Sequence, residues 1–134
     1  MVDEDALVAA ATDARLRARA PFSRFLVGAA VVGDSGRVWT GCNVESASYS
    51  LTCCAERVAL FKAVSEGDTG FHTIVVVTDA EPAVGPCGAC RQVIHELAPG
   101  ATVVVASLGG QRWRQSITAL LPGAFDASSL PSSD

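Results

Sequence analysis

Residues 4–19 interleave Ala, Leu and Val with Arg and Asp and contain no Gly or Pro, which predicts a helix ending before Pro21. Residues 25–32 form a nearly unbroken apolar run with several β-branched positions and predict a strand. Asp34-Ser35-Gly36 signals a turn, and residues 37–43 predict a second strand, so the two form a hairpin. Residues 44–52 read as a loop. Helical periodicity returns over 54–65, where Ala55, Val58, Ala59, Phe61 and Lys62 fit an amphipathic turn, and Gly67 ends it. Residues 73–78 are a short continuous β run of the kind buried on both faces. After a loop at 79–85, a further helix starts at Cys87 or Gly88 and stops before Pro99-Gly100. A strand follows at 102–106, then a Gly109-Gly110 turn, a weak strand at 111–114 and a short helix at 116–121. Residues 126–134 are rich in Ser and Pro and are expected to form a mobile tail.

This order of elements implies a mixed sheet covered by helices on both faces. No internal repeat or composition break divides the 134 residues, so a single domain over 1–134 is expected.

Composition narrows the function classes. Hydrophobic residues make up 49% of the chain and charged residues only 18%, which is apolar enough that some surface is expected to be buried between subunits. The net charge of −4 and the absence of a Lys/Arg run argue against nucleic acid as a partner. Arg15, Arg17, Arg19 and Arg24 read as a solvated helix face with some subunit contacts. No apolar stretch is long enough to span a membrane, and the acidic start (Asp3, Glu4, Asp5) is unlike a secretory leader, so a cytoplasmic location is expected. Five cysteines, with Cys53–Cys54 and Cys87–Cys90 closely spaced, favour metal or redox chemistry over a disulfide framework.

The chemistry concentrates in Cys54-Ala55-Glu56-Arg57 and Pro86-Cys87-Gly88-Ala89-Cys90, each at a predicted helix start. Free backbone N–H groups and the helix dipole stabilise a thiolate there. Three such thiolates can hold one zinc ion and leave its fourth position to water, the open arrangement of a catalytic site. Zinc lowers the pKa of that water from about 15.7 towards about 7. Glu56, two residues past Cys54, is placed to carry protons without being a ligand. Three thiolates and a hydroxide leave an excess of negative charge, which Arg57 or Arg91 can offset by donating to a sulfur. Cys53 is not expected to share the ion, because adjacent helical residues point about 100° apart. Cys53 and Cys42 read as small buried hydrophobes, and His72 and His95 have no partner at ligand spacing.

From about Ala20 to Phe125 the chain resembles the small homotetrameric zinc-dependent cytidine deaminases. The resemblance rests on several motifs in order. They are 22–30 (FSRFLVGAA), 41–45 (GCNVE), Ala47-Ser48-Tyr49, Cys54-Ala55-Glu56-Arg57, 86–92 (PCGACRQ) and Leu120-Leu121-Pro122. It implies a three-layer α/β/α sandwich with a mixed sheet of about five strands. It also implies one zinc per chain on Cys54, Cys87 and Cys90, with Glu56 as proton shuttle. Asn43 and Glu45 would grip the sugar hydroxyl, since an amide and a carboxylate together donate and accept. Phe25 and Phe125 would line the nucleoside pocket, with Phe125 supplied by a neighbouring subunit, and backbone carbonyls near Ala55 and Cys87 would meet the amine. The implied partners are a small-molecule nucleoside and further copies of this chain, in a homotetramer whose active sites are shared between subunits. The implied reaction is hydrolysis of cytidine and 2′-deoxycytidine to uridine and 2′-deoxyuridine plus ammonia, by a zinc-bound hydroxide. Phe22, Ser46 and Cys53 depart from the family pattern; none touches the implied chemistry, and the first two bear on loop hydrogen bonding and sugar preference.

Three alternatives compete. A deaminase of a blasticidin-type antibiotic would share the zinc chemistry, but Glu45 would repel the carboxylate on that substrate's sugar. An enzyme editing polynucleotides needs a phosphate-binding surface that the charge does not provide. A non-catalytic zinc-stabilised binding domain would leave Glu56 unexplained. Whether the role is pyrimidine salvage or resistance is left open by the motifs.

Overall fold

The structure is a computed structural model and describes residues 2–131. Five strands form one mixed sheet in the order β2-β1-β3-β4-β5. These are β1 (Gly28–Val32), β2 (Val38–Cys42), β3 (Thr73–Thr78), β4 (Thr102–Ser107) and β5 (Arg112–Ser116). Only β3 and β4 run parallel; the other neighbours are antiparallel. Among the described residues no helix is long and apolar enough to cross a membrane.

The alternation of side chains sorts the core into two layers. Ala30, Val32, Val75, Val77, Val104 and Ala106 pack with Leu7 and Ala11 of α1 (Glu4–Arg15) on one face. Ala29, Val31, Ile74, Val103 and Val105 pack on the other. They meet Ala59 and Leu60 of α2 (Ala55–Ser65) and Ile94 of α3 (Gly88–Leu97). Burial on both faces explains why β1, β3 and β4 read as unbroken apolar runs. The short α4 (Ile117–Leu120) adds Ile117 to the second layer, starting from a Ser116 side-chain cap.

Several boundaries differ from the sequence reading. α1 ends at Arg15, and residues 16–18 close it with tighter turns from Arg17 N to Ala14 O and from Ala18 N to Arg15 O. Arg17, Arg19 and Arg24 therefore lie off that helix, and Arg19 instead bridges to Val44. β1 starts at Gly28 and not at residue 25, because residues 25–27 are held by a side chain. Asn43 Oδ1 accepts from Val27 N at 2.9 Å and its Nδ2 donates to Phe25 O at 2.7 Å. Within α2, Phe61 and Val64 face outward, while Ala55, Glu56, Ala59, Leu60 and Ala63 face the sheet. Cys42 and Cys53 are half-buried. The tail begins with an ordered turn: Asp126 caps a 3-10 helix at Ala127–Ser129. The rest of the expected tail, from 132 on, lies outside the described residues.

Two glycines let the helices sit against the sheet. Gly28 faces α1, where a Cβ would run into Ala11 O. Gly41 faces α2, where a Cβ would lie 2.5 Å from both Ala55 O and Ala59 N. Both obstacles are backbone, which cannot swing aside. Gly41→Ala is therefore expected to cost about 1–3 kcal/mol, the range for overpacking, and to weaken zinc retention by displacing the start of α2. Gly100, with open space around its Cα, is the control: Gly100→Ala is expected to stay within about 0.5 kcal/mol. Urea unfolding and metal analysis of the two variants check this.

Candidate metal centre and active site

Cys54 and Cys87 are the N-cap residues of α2 and α3, both in extended backbone conformation and without a side-chain capping bond. The orphan N–H groups at both helix starts therefore face the same region as the sulfurs. Cys90 stands one turn into α3 and is buried. The three Sγ atoms lie within 4.8 Å of one another, and Cys54 and Cys87 are 3.8 Å apart. No other group of three metal-binding side chains gathers among the described residues. Three soft donors at this spacing, without a fourth, fit a zinc ion that keeps an open position. Cys53 does not join them.

The charge is arranged to favour a thiolate. Cys54 is lowered from 9.0 to about 5, first by the hydrogen bond it receives from Cys90 and then by Arg57 and Cys87. Cys90 is pushed up by that same bond and by burial, so in the metal-free chain it keeps its proton and donates it. Arg57 Nη2 donates to Cys54 Sγ and to Thr52 O, each at 3.4 Å.

Arg91 behaves differently from the expectation. It touches no sulfur; its Nε donates to Pro86 O at 2.8 Å and its Nη1 to Leu120 O at 3.0 Å. It thus clamps the loop that delivers Cys87 to the end of α4. Gly85 leaves room for this, since a Cβ there would lie 3.2 Å from Arg91 Nη2.

Beside the sulfurs opens a cavity of about 280 Å³. Glu56, only 3% exposed, forms part of its wall with Cys54, Ala55 and Cys87. Burial pushes the Glu56 carboxyl up to about 7, and the charge of Cys54 adds to it. Phe25, Asn43 and Glu45 line the same cavity. So do Ser23, Thr52 and Val84, which the sequence reading did not assign. Only Ser23 had a signal, its place in the 22–30 motif.

Asn43 and Glu45 are both tied to the loop at residues 22–27. Glu45 Oε1 accepts from Phe22 N at 3.0 Å and Ser23 N at 3.1 Å, and Oε2 accepts from Ser23 Oγ. These bonds, the one from Ser23 Oγ foremost, hold the Glu45 carboxyl below the usual carboxylate range. Both side chains therefore shape the loop that carries Phe25 as well as facing the cavity. Ala55 also faces it, but its carbonyl turns towards Gly41. The group that the helix start leaves unpartnered at Ala55 is the N–H, not the carbonyl. Phe125 does not reach this cavity within its own chain and stands 58% exposed.

Converging sulfurs at two helix starts, beside a buried carboxylate on a mixed sheet, define a zinc hydrolase of the deaminase class. A sequence model of the cytidine and deoxycytidylate deaminase zinc-binding region matches residues 1–106. The chain belongs to that family. It is 48% identical over 130 residues to a cytidine deaminase of Halalkalibacterium halodurans, covering 96% of this chain and 98% of that one. It is 45% identical over 130 residues to that of Sporosarcina psychrophila, covering 96% of each. The crystal structure of cytidine deaminase from Burkholderia pseudomallei superposes with a TM-score of 0.88 at 46% identity, covering 92% of this chain and all of that one.

A depressed pKa keeps Cys54 ionised above about pH 5 in the metal-free chain. Its alkylation by iodoacetamide, read by mass spectrometry, is expected to slow only below that pH. Arg57→Gln is expected to move the midpoint upward; an unmoved midpoint would show that the guanidinium does not hold the thiolate charge.

Proposed function

We propose that this chain hydrolyses cytidine and 2′-deoxycytidine to the uracil nucleosides and ammonia. The observation that carries this is the buried Glu56 carboxylate in one cavity wall with Cys54 and Cys87, in a chain of this family. Cys54, Cys87 and Cys90 would hold the zinc, which when bound supplies the Lewis acidity that activates water. Glu56 takes a proton from the attacking water and delivers it to ring N3. A second proton then reaches the amino group, which leaves C4 as ammonia. The Ala55 N–H, free at the start of α2, is a donor for a ring acceptor. Phe25, Val27 and Val84 form apolar walls that exclude bulk water from the ring.

Asn43 and Glu45 would recognise the sugar. A carboxylate offers about four lone-pair directions and an amide two N–H groups. The loop uses three bonds to Glu45 and one Asn43 N–H. One acceptor and one donor remain to face a sugar hydroxyl. A substrate with a carboxylate at that position would meet the charge of Glu45.

The same reading makes the enzyme a cytoplasmic homotetramer with sites shared between subunits. Its support is the outward apolar surface of Phe22, Tyr49, Leu51, Phe61 and Phe125 and five free cysteines, which suit a reducing compartment. Light scattering is expected to give four chains.

Two measurements test the chemistry. Ultraviolet assays on zinc-loaded protein are expected to show turnover of cytidine and deoxycytidine, with cytosine and CMP left unchanged. Turnover of blasticidin S alone would overturn the sugar reading, and no turnover of any would overturn the function. Glu56→Ala is expected to keep its zinc and lose at least about a hundredfold in kcat, in line with general acid–base catalysis. Near-normal turnover would remove Glu56 from the mechanism.

A further inference from the structure

His95 belongs to no part of the site described above, yet it is not idle. It lies on α3 one turn beyond Gln92, so the two side chains share a face of that helix. Each reaches the same short segment. Gln92 Nε2 donates to Phe125 O at 2.7 Å. His95 Nε2 lies 2.8 Å from Asp126 Oδ2, and since a carboxylate only accepts, the ring nitrogen is the donor. Asp126 is fixed from its other side as well, accepting from Ser128 N at 2.9 Å and from Ser128 Oγ. Two consecutive residues, 125 and 126, are thus tied to one rigid helix, which sets both the position and the direction of the backbone.

What this arrangement presents is Phe125. Its carbonyl is pinned, and its ring stays 58% exposed. A loop free to relax would turn such a ring onto its own surface, because exposure of an aromatic of this size is unfavourable. Meanwhile the cavity that Phe25 and Val84 line receives no part of the same chain's Phe125.

We propose that His95, with Asp126 and Gln92, forms a latch that positions Phe125 to close the nucleoside cavity of a neighbouring copy. The inference rests on the shared-site reading above. In it, α3 serves two sites at once: its first turn brings Cys87 and Cys90 to the metal of its own subunit, and its outer face aims an aromatic at the next. His95 acts through Phe125 and touches no reacting atom, so it is a positioning residue.

The test uses full-length, zinc-loaded protein with subunit number and zinc content verified for each variant. Phe125→Ala is expected to raise the KM for cytidine about three- to tenfold, the loss of one aromatic contact, with a smaller change in kcat. His95→Ala and Asp126→Ala are expected to raise KM in the same direction, and neither to add to Phe125→Ala in the double variants. Asp126→Asn keeps Oδ1 as the acceptor for Ser128 and turns its amide N–H towards His95, whose ring accepts in its other tautomer; it is expected to stay within about twofold of the unmodified KM. An unchanged KM in Phe125→Ala would overturn the shared-site reading and the latch with it. A raised KM in Phe125→Ala, with His95→Ala and Asp126→Ala unchanged or fully additive, would overturn the latch alone, whatever those variants do to Tm.

Discussion

The close seating of α2 on the sheet is the constraint on which the site depends. Gly41 on β2 lies under Ala55 and Ala59, and a Cβ there would press on helix backbone at 2.5 Å. Because the helix begins at the same place, its height above the sheet is also the height of Cys54. α3 reaches the same region from β3 through the loop that Arg91 clamps at Pro86 and Leu120. Metal–sulfur distances tolerate only tenths of an ångström. Sulfurs from two helices can meet that tolerance only if both helices have fixed heights. A missing side chain sets one, and an arginine clasp holds the other.

Those two arginines show how one residue type divides between charge and shape. Arg57 gives a donor to Cys54 Sγ and another to Thr52 O, so it offsets charge while tying the preceding loop to the helix. Arg91, one residue past a sulfur, spends its donors on backbone carbonyls. The helix starts add orphan N–H groups and the positive ends of two dipoles. The result favours one thiolate already in the metal-free chain, with Cys90 holding its proton against it. Glu56 sits in the opposite regime. Burial and a neighbouring negative charge both raise its pKa.

Much of this was legible in the residues. The chemistry-bearing motifs sit at helix starts, where their spacing placed them, and the continuous β runs are the strands buried on both faces. What was not legible depended on partners distant in sequence. Residues 25–27 have strand composition, but an Asn43 side chain takes the place of a neighbouring strand. Arg91 and Arg57 follow cysteines alike, and only the fold reveals that one faces a sulfur and the other a loop. His95 lacked a partner within reach because its partner is 31 positions away, across a strand pair and α4. The end of α1 differs for another reason: residues 16–19 carry no breaker, yet the chain leaves the helix to pair Arg19 with Val44.

The distribution of aromatic rings carries the argument beyond a single chain. The interior is built from Ala, Val, Ile and Leu, with Trp39 and Phe71 the buried exceptions. Phe22, Phe25, Tyr49, Phe61 and Phe125 are all exposed. In an isolated monomer this order is inverted, since large rings gain most from leaving water. Two of these residues are held outward by dedicated polar groups: Phe25 by Asn43, and Phe125 by Gln92 beside the His95–Asp126 pair. Ordering an exposed ring has a use only when something else covers it. In the proposed function that cover would be a nucleoside ring for Phe25 and, for Phe61 on the outer face of α2, a neighbouring copy. Phe125 belongs to both cases at once if it closes the neighbour's cavity. A chain whose core is built mostly from aliphatic side chains leaves most of its aromatics free for recognition.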